Sequence, residues 1–158
     1  KKYKITYAGM HALDILRLEK KFLHWGHDIT SENNPLEAGL SFAVNFDKNE
    51  NFIGRKALEK IKDKPLSNKL ELFSLKNKFK PGSPLLLHDE PIFKDGQIVG
   101  YTTSSNFSFY YNKNICLAYI NHEITDNDEL FVEVEGERYA LNLEKQAIHD
   151  PRSEKLRS

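Results

Sequence analysis

The chain has 158 residues, which is enough for one domain or two small ones with a buried core. Its 23 basic and 23 acidic side chains balance, so no overall positive charge favours duplex nucleic acid as a partner, whereas a small polar ligand remains open. Charged residues make up 29% and apolar residues 39%, as in a globular domain, and no apolar run approaches the roughly 20 residues of a membrane-spanning helix.

Residues 9–23 have the clearest helical periodicity in the sequence. At about 100° per residue, the charged side chains of Asp14, Arg17 and Lys21 share one side of the predicted helix. The opposite side is apolar, with Ala12, Leu13, Ile15, Leu16, Leu18 and Phe22, and we expect it to be buried. Glu19 falls near the middle of this apolar side. A buried carboxylate is costly unless it is paired, so we predict that Glu19 meets either an internal Arg or Lys or the hydrogen-bond donors of a ligand.

Shorter elements follow up to a predicted boundary. Pro35 begins a short candidate helix after an Asn cap, residues 41–46 alternate as a strand, and residues 54–62 form a short amphipathic helix. The next segment, DKPLSNK, is rich in polar residues and contains proline. We therefore predict two domains, residues 1–62 and residues 63–158.

Beyond the boundary the hydrophobic period changes to two, which is typical of strands. The predicted strands are residues 70–75, 84–87, 91–94, 98–104, 107–111, 115–120, 129–135 and 138–144. Asp95-Gly96 is a hairpin signal, and Gly136-Glu137 joins two alternating runs. The pattern indicates an antiparallel barrel or sandwich. Cys116 lies in one of these strands, and we expect it to be an unreactive core thiol.

Common catalytic and metal-binding patterns are not evident. His24 and His27, with Asp28 beside them, lack a further ligand cluster, so we predict no metal site. Neither a G-x-G-x-x-G fingerprint nor a P-loop is present. The TTSS segment at 102–105 lacks the strand-to-helix turn that exposes a catalytic serine.

Several spaced segments resemble one known family. AGMHALDILRLEKKFLHWGHDIT, PLEAGLSFAVNFDK, FIGRKAL and PLLLHDEPIFKDGQIVGYTTS resemble, in order, the folate-binding region of dimethylglycine and sarcosine dehydrogenases. The glycine-cleavage T-protein is a more distant relative. The resemblance implies an α+β fold, in which the C-terminal end of a mixed folate-binding domain precedes an antiparallel β-barrel of the aminomethyltransferase type.

The resemblance also implies two residues that bind the cofactor. The glutamate of the LRLE motif binds the pterin edge in this family, and that residue is Glu19 here. A pterin presents an amino group and a ring N–H, which both carboxylate oxygens could accept as they accept a guanidinium. The matching position for binding the folate tail is Lys48. Relatives have glycines where this chain has SSNFSFYYNK, and often tyrosine at the position of His149, so we assign no role to residues 104–114, His149 or Arg152.

The function implied is that of the C-terminal, tetrahydrofolate-binding part of a folate-dependent N-methyl dehydrogenase. FAD would be held only by an upstream domain, and an upstream domain or subunit would complete the folate site, so we expect this chain alone to be inactive. The resemblance suggests the cytoplasm in a bacterium or the mitochondrial matrix in a eukaryote. Two alternatives stay open, an aminomethyltransferase like the glycine-cleavage T-protein and a non-catalytic barrel that mediates subunit contacts. The folate-binding family linked to iron-sulfur maintenance is disfavoured because its cysteine-containing signature is missing.

Overall fold

The computed structural model describes residues 3–76 and 85–158. It has the predicted mixed α+β character, with helices before and after a run of strands. In chain order the elements are α1 (Met10–Glu19), a 3-10 helix (Ser41–Ala43), α2 (Arg55–Glu59), β1 (Asn68–Leu75), β2 (Pro91–Lys94), β3 (Gln97–Ser108), β4 (Lys113–Asn121), β5 (Phe131–Val134), β6 (Glu137–Glu144) and α3 (Glu154–Arg157).

The strands of the described residues form a closed antiparallel barrel in the order β1-β4-β3-β2-β5-β6, and β6 pairs back with β1. Closure leaves no free sheet edge between the first and last strands. The interior is apolar and includes Phe73, Ile92, Cys116 and Val132. Burial raises the pKa of the Cys116 thiol to about 12, so the thiol stays protonated, as expected for an unreactive core cysteine.

Two hairpins have the tight turns that their sequences predict. Asp95 and Gly96 join β2 to β3 with φ angles of 50° and 80°. Glu135 and Gly136 join β5 to β6 with φ angles of 51° and 82°, so this turn lies one residue earlier than the predicted Gly136-Glu137 pair. Two successive positive φ angles are the geometry of a type I′ turn, which matches the twist of the flanking strands.

Several predicted elements differ in the structure. The predicted strands 98–104 and 107–111 form the single long strand β3, and residues 85–87 are not in a strand. Position 84 lies outside the described residues. Residues 41–46 form a 3-10 turn and loop instead of a strand, and the segment after Pro35 forms turns instead of a helix. These short segments lack a pairing strand or a long helical ladder, so their hydrophobic pattern alone does not determine their conformation.

The orientation of α1 is the main correction to the sequence interpretation. Within α1, Leu18 and Glu19 are buried, but Leu13 is 56% exposed and Leu16 is 61% exposed. Phe22, just beyond the helix, is 52% exposed. The expectation that the whole apolar side would be buried is therefore wrong for these three residues. The side that faces the barrel is mixed instead: Leu18 packs into an apolar cluster with residues of β1 and β4, and Lys21 Nζ, just beyond the helix, lies 3.0 Å from Glu71 Oε2 of β1.

Candidate functional site

An ion pair that is largely buried attaches α1 to the barrel. Arg17 Nη1 lies 2.6 Å from Asp28 Oδ2, and Arg17 Nη2 donates to Ser104 Oγ of β3 at 2.8 Å. Asp28 is fully buried and also accepts hydrogen bonds from Thr103 Oγ1 at 2.6 Å and from the backbone N–H of His24 at 2.8 Å. Arg17 thus joins α1 to β3 directly through Ser104 and also through Asp28, which is bonded to Thr103, so the cluster determines where α1 lies on β3.

Glu19 is held two residues further along the same helix. Its side chain is 6% exposed, and Oε1 accepts a hydrogen bond from Ser108 Oγ at 2.7 Å and a longer one from the Tyr110 N–H at 3.3 Å. Ser108 ends β3 and is itself fully buried. The partners of Glu19 are therefore a hydroxyl and a backbone amide at the β3–β4 turn.

No Arg or Lys of the described ranges 3–76 and 85–158 pairs with Glu19, and within these ranges Oε2 accepts no hydrogen bond. Among the described residues, Tyr119 Oη is the one fully buried side-chain polar atom without a hydrogen bond. Glu19 Oε2 also lacks a hydrogen bond, so it is not fully buried and keeps some contact with solvent. A carboxylate has about four acceptor positions. Two are occupied at Oε1, and those at Oε2 receive no hydrogen bond from the described residues.

A cleft of about 440 Å³ lies beside Tyr110 and His149, which both donate backbone hydrogen bonds to Glu19. Its walls are Tyr110, His149, Asp150, Pro151, Arg152, Glu154 and Lys155. The Tyr110 and His149 rings meet edge to face with centroids 4.8 Å apart, and the His149 N–H donates to the Glu19 carbonyl at 2.9 Å. Lys20 Nζ pairs with Asp150 Oδ2 at 3.2 Å. These contacts bring the C-terminal segment against the end of α1, beside Glu19.

Lys48 lies elsewhere, on the loop between the 3-10 helix and α2. Its side chain is 56% exposed and its Nζ lies 3.8 Å from Glu50 Oε2. The Lys48 carbonyl accepts a hydrogen bond of 2.6 Å from Arg55 Nη1, which fixes the loop backbone. Within the described part of the chain, no hydrogen bond or ion pair joins Lys48 to Glu19. The role predicted for Lys48 in binding a folate tail therefore stays a prediction.

The histidines lie on another side of α1. The centroids of the His24 and His27 rings lie 4.6 Å apart with the ring planes tilted by 41°, beside a shallow cleft of about 200 Å³ that Asp14, Arg17 and His88 also line. No group of three or more His, Cys, Asp or Glu residues in the described residues is arranged to hold a metal ion.

Among residues 3–76 and 85–158, no helix has the length and apolar character needed to cross a bilayer.

Sequence analysis missed the residues that surround Glu19. Ser108 and Tyr110 lie about 90 positions away in the chain, and a helical wheel carries no information on contacts at that distance. The one available signal was the departure from the family pattern at residues 104–113, to which no role was assigned. The structure shows that this segment supplies both hydrogen bonds to the carboxylate.

Two family models match the chain. One, described as the glycine cleavage T-protein C-terminal barrel domain, matches residues 71–150, and the other, the GCVT N-terminal domain, matches residues 1–48. The chain belongs to the glycine cleavage T-protein family. The first match covers most of the barrel, from β1 through β6, and the second covers α1 with Glu19 and ends at Lys48. The predicted boundary between residues 62 and 63 falls between the two matches and stays a prediction.

The similar proteins include both dehydrogenases and aminomethyltransferases. Human mitochondrial dimethylglycine dehydrogenase is 35% identical over 137 residues, which are 85% of this chain and 15% of the human protein. An aminomethyltransferase from Halothermothrix orenii is 40% identical over 116 residues, which are 73% of this chain and 31% of that enzyme. The predicted relationship to both groups is thus confirmed. This chain spans less than a third of the length of either relative.

A solved structure confirms the fold. The glycine cleavage system aminomethyltransferase T from Bartonella henselae matches with a TM-score of 0.81 and 24% identity, over 92% of this chain and 40% of that one. The predicted α+β fold with an aminomethyltransferase-type barrel is therefore confirmed.

Proposed function

We propose that this chain is the C-terminal, tetrahydrofolate-binding portion of a folate-dependent N-methyl dehydrogenase that passes a one-carbon unit to tetrahydrofolate. The observation that carries the proposal is the state of Glu19. Its carboxylate is buried, it has no cationic partner among residues 3–76 and 85–158, and Oε2 is available as an acceptor. Flat heterocycles with adjacent N–H donors, such as a pterin, suit an acceptor of this kind.

The geometry refines how such a ring would bind. Two donors of a pterin edge need two acceptor positions, and Oε1 already uses two for Ser108 and Tyr110. Oε2 would therefore receive the first donor. The second donor would use the remaining position on Oε2 or replace the Tyr110 N–H, whose 3.3 Å contact is the longer of the two.

The exposed apolar residues of α1 support a role within a larger enzyme. Leu13, Leu16 and nearby Met10 each expose more than half of their surface, and the helix contacts the barrel through other residues, Leu18 and Arg17. Contiguous exposed apolar surface commonly marks a contact with another protein part. In this proposal an upstream domain or subunit covers these residues, completes the folate site and holds FAD, and this chain alone has no turnover.

Two alternative functions for this chain can be distinguished by experiment. An aminomethyltransferase would bind tetrahydrofolate without a flavin, whereas a non-catalytic barrel for subunit contacts would bind neither. The sequence encoded upstream distinguishes the first reading, because a flavin-binding Rossmann fingerprint there supports a dehydrogenase. Mitochondrial placement is proposed only for a eukaryotic source, and cytoplasmic placement for a bacterial one.

Replacement of Glu19 tests the proposed site. In the complete gene product, Glu19→Gln should weaken tetrahydrofolate binding by about 2 kcal/mol or roughly 30-fold, because an amide places one donor edge against the pterin donors. Anaerobic isothermal titration with tetrahydrofolate measures the effect. Glu71→Gln, which alters a carboxylate on the barrel that pairs with Lys21, serves as a control and should leave affinity unchanged. Equal affinities for wild type and Glu19→Gln, or no binding by wild type, would contradict the proposal.

Lys48 is tested through the folate tail. Lys48→Ala should weaken binding of tetrahydrofolate by about 1 kcal/mol, because an exposed lysine forms a modest, solvent-screened ion pair with a tail carboxylate. The loss should shrink as salt is added. Lys56→Ala on α2, another exposed lysine, is the matched control. The assignment of Lys48 fails if both variants behave alike.

A further inference from the structure

The turn between β3 and β4 contacts Glu19 through one side chain, that of Ser108. The Ser108 hydroxyl donates to Glu19 Oε1 at 2.7 Å. The hydroxyl oxygen, Ser108 Oγ, in turn accepts a hydrogen bond from the Tyr111 N–H at 3.0 Å. Ser108 pairs with Lys113 across the hairpin, and Asn112 takes a φ of 54° to close the turn between them. The buried Ser108 hydroxyl therefore hydrogen-bonds both to the backbone of the turn and to the Glu19 carboxylate, so the conformation of the turn determines where the carboxylate is held.

The direction of this hydrogen bond has a chemical consequence. A serine hydroxyl has a single proton, so a hydroxyl that donates to Glu19 and accepts from Tyr111 has a defined orientation. The bond occupies Oε1 and stops rotation of the carboxylate about its terminal torsion, which is otherwise broad. Oε2 is then held on the side away from Ser108, where no protein donor of the described residues reaches it.

We propose that Ser108 is a positioning residue for ligand binding, which orients the Glu19 carboxylate so that Oε2 faces the donors of the bound heterocycle. This inference rests on the proposed function and extends it to the β3–β4 turn. Ser108 is not a catalytic residue, because it acts on the ligand only through Glu19. Binding costs less conformational entropy when the acceptor carboxylate is already oriented than when the ligand must first orient it.

Removal of the hydroxyl tests the inference in the complete gene product. Ser108→Ala should raise the Kd for tetrahydrofolate about tenfold, since hydrogen bonds to charged groups are among the stronger ones. Ser74→Ala is the matched control, because Ser74 is also fully buried and its hydroxyl donates to another glutamate, Glu144, at 2.6 Å. Ser74→Ala should leave the Kd unchanged even if it lowers the melting temperature.

A double-mutant cycle with Glu19→Gln separates positioning from a merely structural effect. If Ser108 acts through Glu19, adding Ser108→Ala to Glu19→Gln should cause no further loss of affinity. Additive losses would overturn the inference, and so would a Ser108→Ala variant with wild-type affinity beside a weakened Glu19→Gln variant. If Glu19→Gln also binds normally, the proposed function itself fails.

A second pair of variants covers the case in which Ser108→Ala does not fold. Ser108→Thr and Ser108→Val introduce side chains of nearly the same shape, of which only threonine carries a hydroxyl. The threonine variant should bind tetrahydrofolate more tightly than the valine variant by about tenfold. Equal Kd values for these two variants would contradict the positioning role.

Discussion

Asp28→Ala should lower the free energy of unfolding by about 3 kcal/mol, because it removes the buried partner of Arg17 Nη1 and leaves the guanidinium only the partly exposed Asp14, whose Oδ1 lies 3.2 Å from Arg17 Nε. The Arg17 side chain is 13% exposed and that of Asp28 is 0% exposed, so water cannot fully replace the carboxylate. The change also removes the acceptor for Thr103 Oγ1 and for the His24 N–H. Both losses act in the same direction.

Urea unfolding measures this effect through the midpoint and the slope of the transition. The control is Asp126→Ala, which removes one partner of the exposed ion pair between Lys145 and Asp126. Exposed pairs contribute only about 0–1 kcal/mol, so that variant should unfold close to wild type. A loss below about 1 kcal/mol for Asp28→Ala would show that the cluster does not attach α1 to the barrel in solution.

Gly100→Ala should destabilise the barrel by about 3 kcal/mol, the upper part of the usual range for overpacking. Gly100 lies in β3 between Ile92 of β2 and Ile120 of β4. A Cβ atom built there would lie 2.2 Å from the Tyr119 carbonyl oxygen and 2.9 Å from Ile120 Cγ2. The first contact is with backbone, so relief requires β3 and β4 to separate and to lose ladder hydrogen bonds.

The matched control is Gly9→Ala. Gly9 precedes α1 with a φ of −82°, and an added Cβ would meet no atom within 4 Å. This variant should change the free energy of unfolding by less than about 1 kcal/mol, because the loss of glycine from the N-cap position and the lower entropy of the unfolded chain oppose each other. Thermal or urea unfolding of the two variants side by side separates a steric clash from the general effect of losing a glycine. Similar stability in both would contradict the close approach of the strands.

The strands of the barrel were predictable because they carry local signals, and the family resemblance favoured a barrel over a sandwich. Largely alternating apolar residues mark β1, β5 and β6, and Asp95-Gly96 marks the turn between β2 and β3. The strand pairing β1-β4-β3-β2-β5-β6 was not predictable, because pairing of β1 with both β4 and β6 depends on contacts distant in the chain. The division of β3 into two predicted strands arose from the polar TTSS and Asn106 stretch, which the structure holds extended by pairing with β4.

The candidate site was predictable in one respect. The helical wheel and the resemblance both single out Glu19, and the structure buries it. The reason for its burial differs from the prediction. The helix meets the barrel through both Leu18 and Arg17, which brings Glu19 to the β3–β4 turn, while Leu13 and Leu16 remain exposed. A helical wheel shows that two sides differ, but it does not show which side meets a neighbour.

The amino-acid sequence by itself determined the family, the α+β class and the barrel, and it singled out Glu19 as a candidate, since these depend on local periodicity, turn residues and spaced motifs. Only the tertiary structure decided which oxygen of Glu19 is occupied and by what. Ser108 and Tyr110 reach Oε1 from about 90 residues away. Such contacts depend on how the strands pair and where α1 lies on them, so the orientation of a single carboxylate follows from the packing of the whole fold.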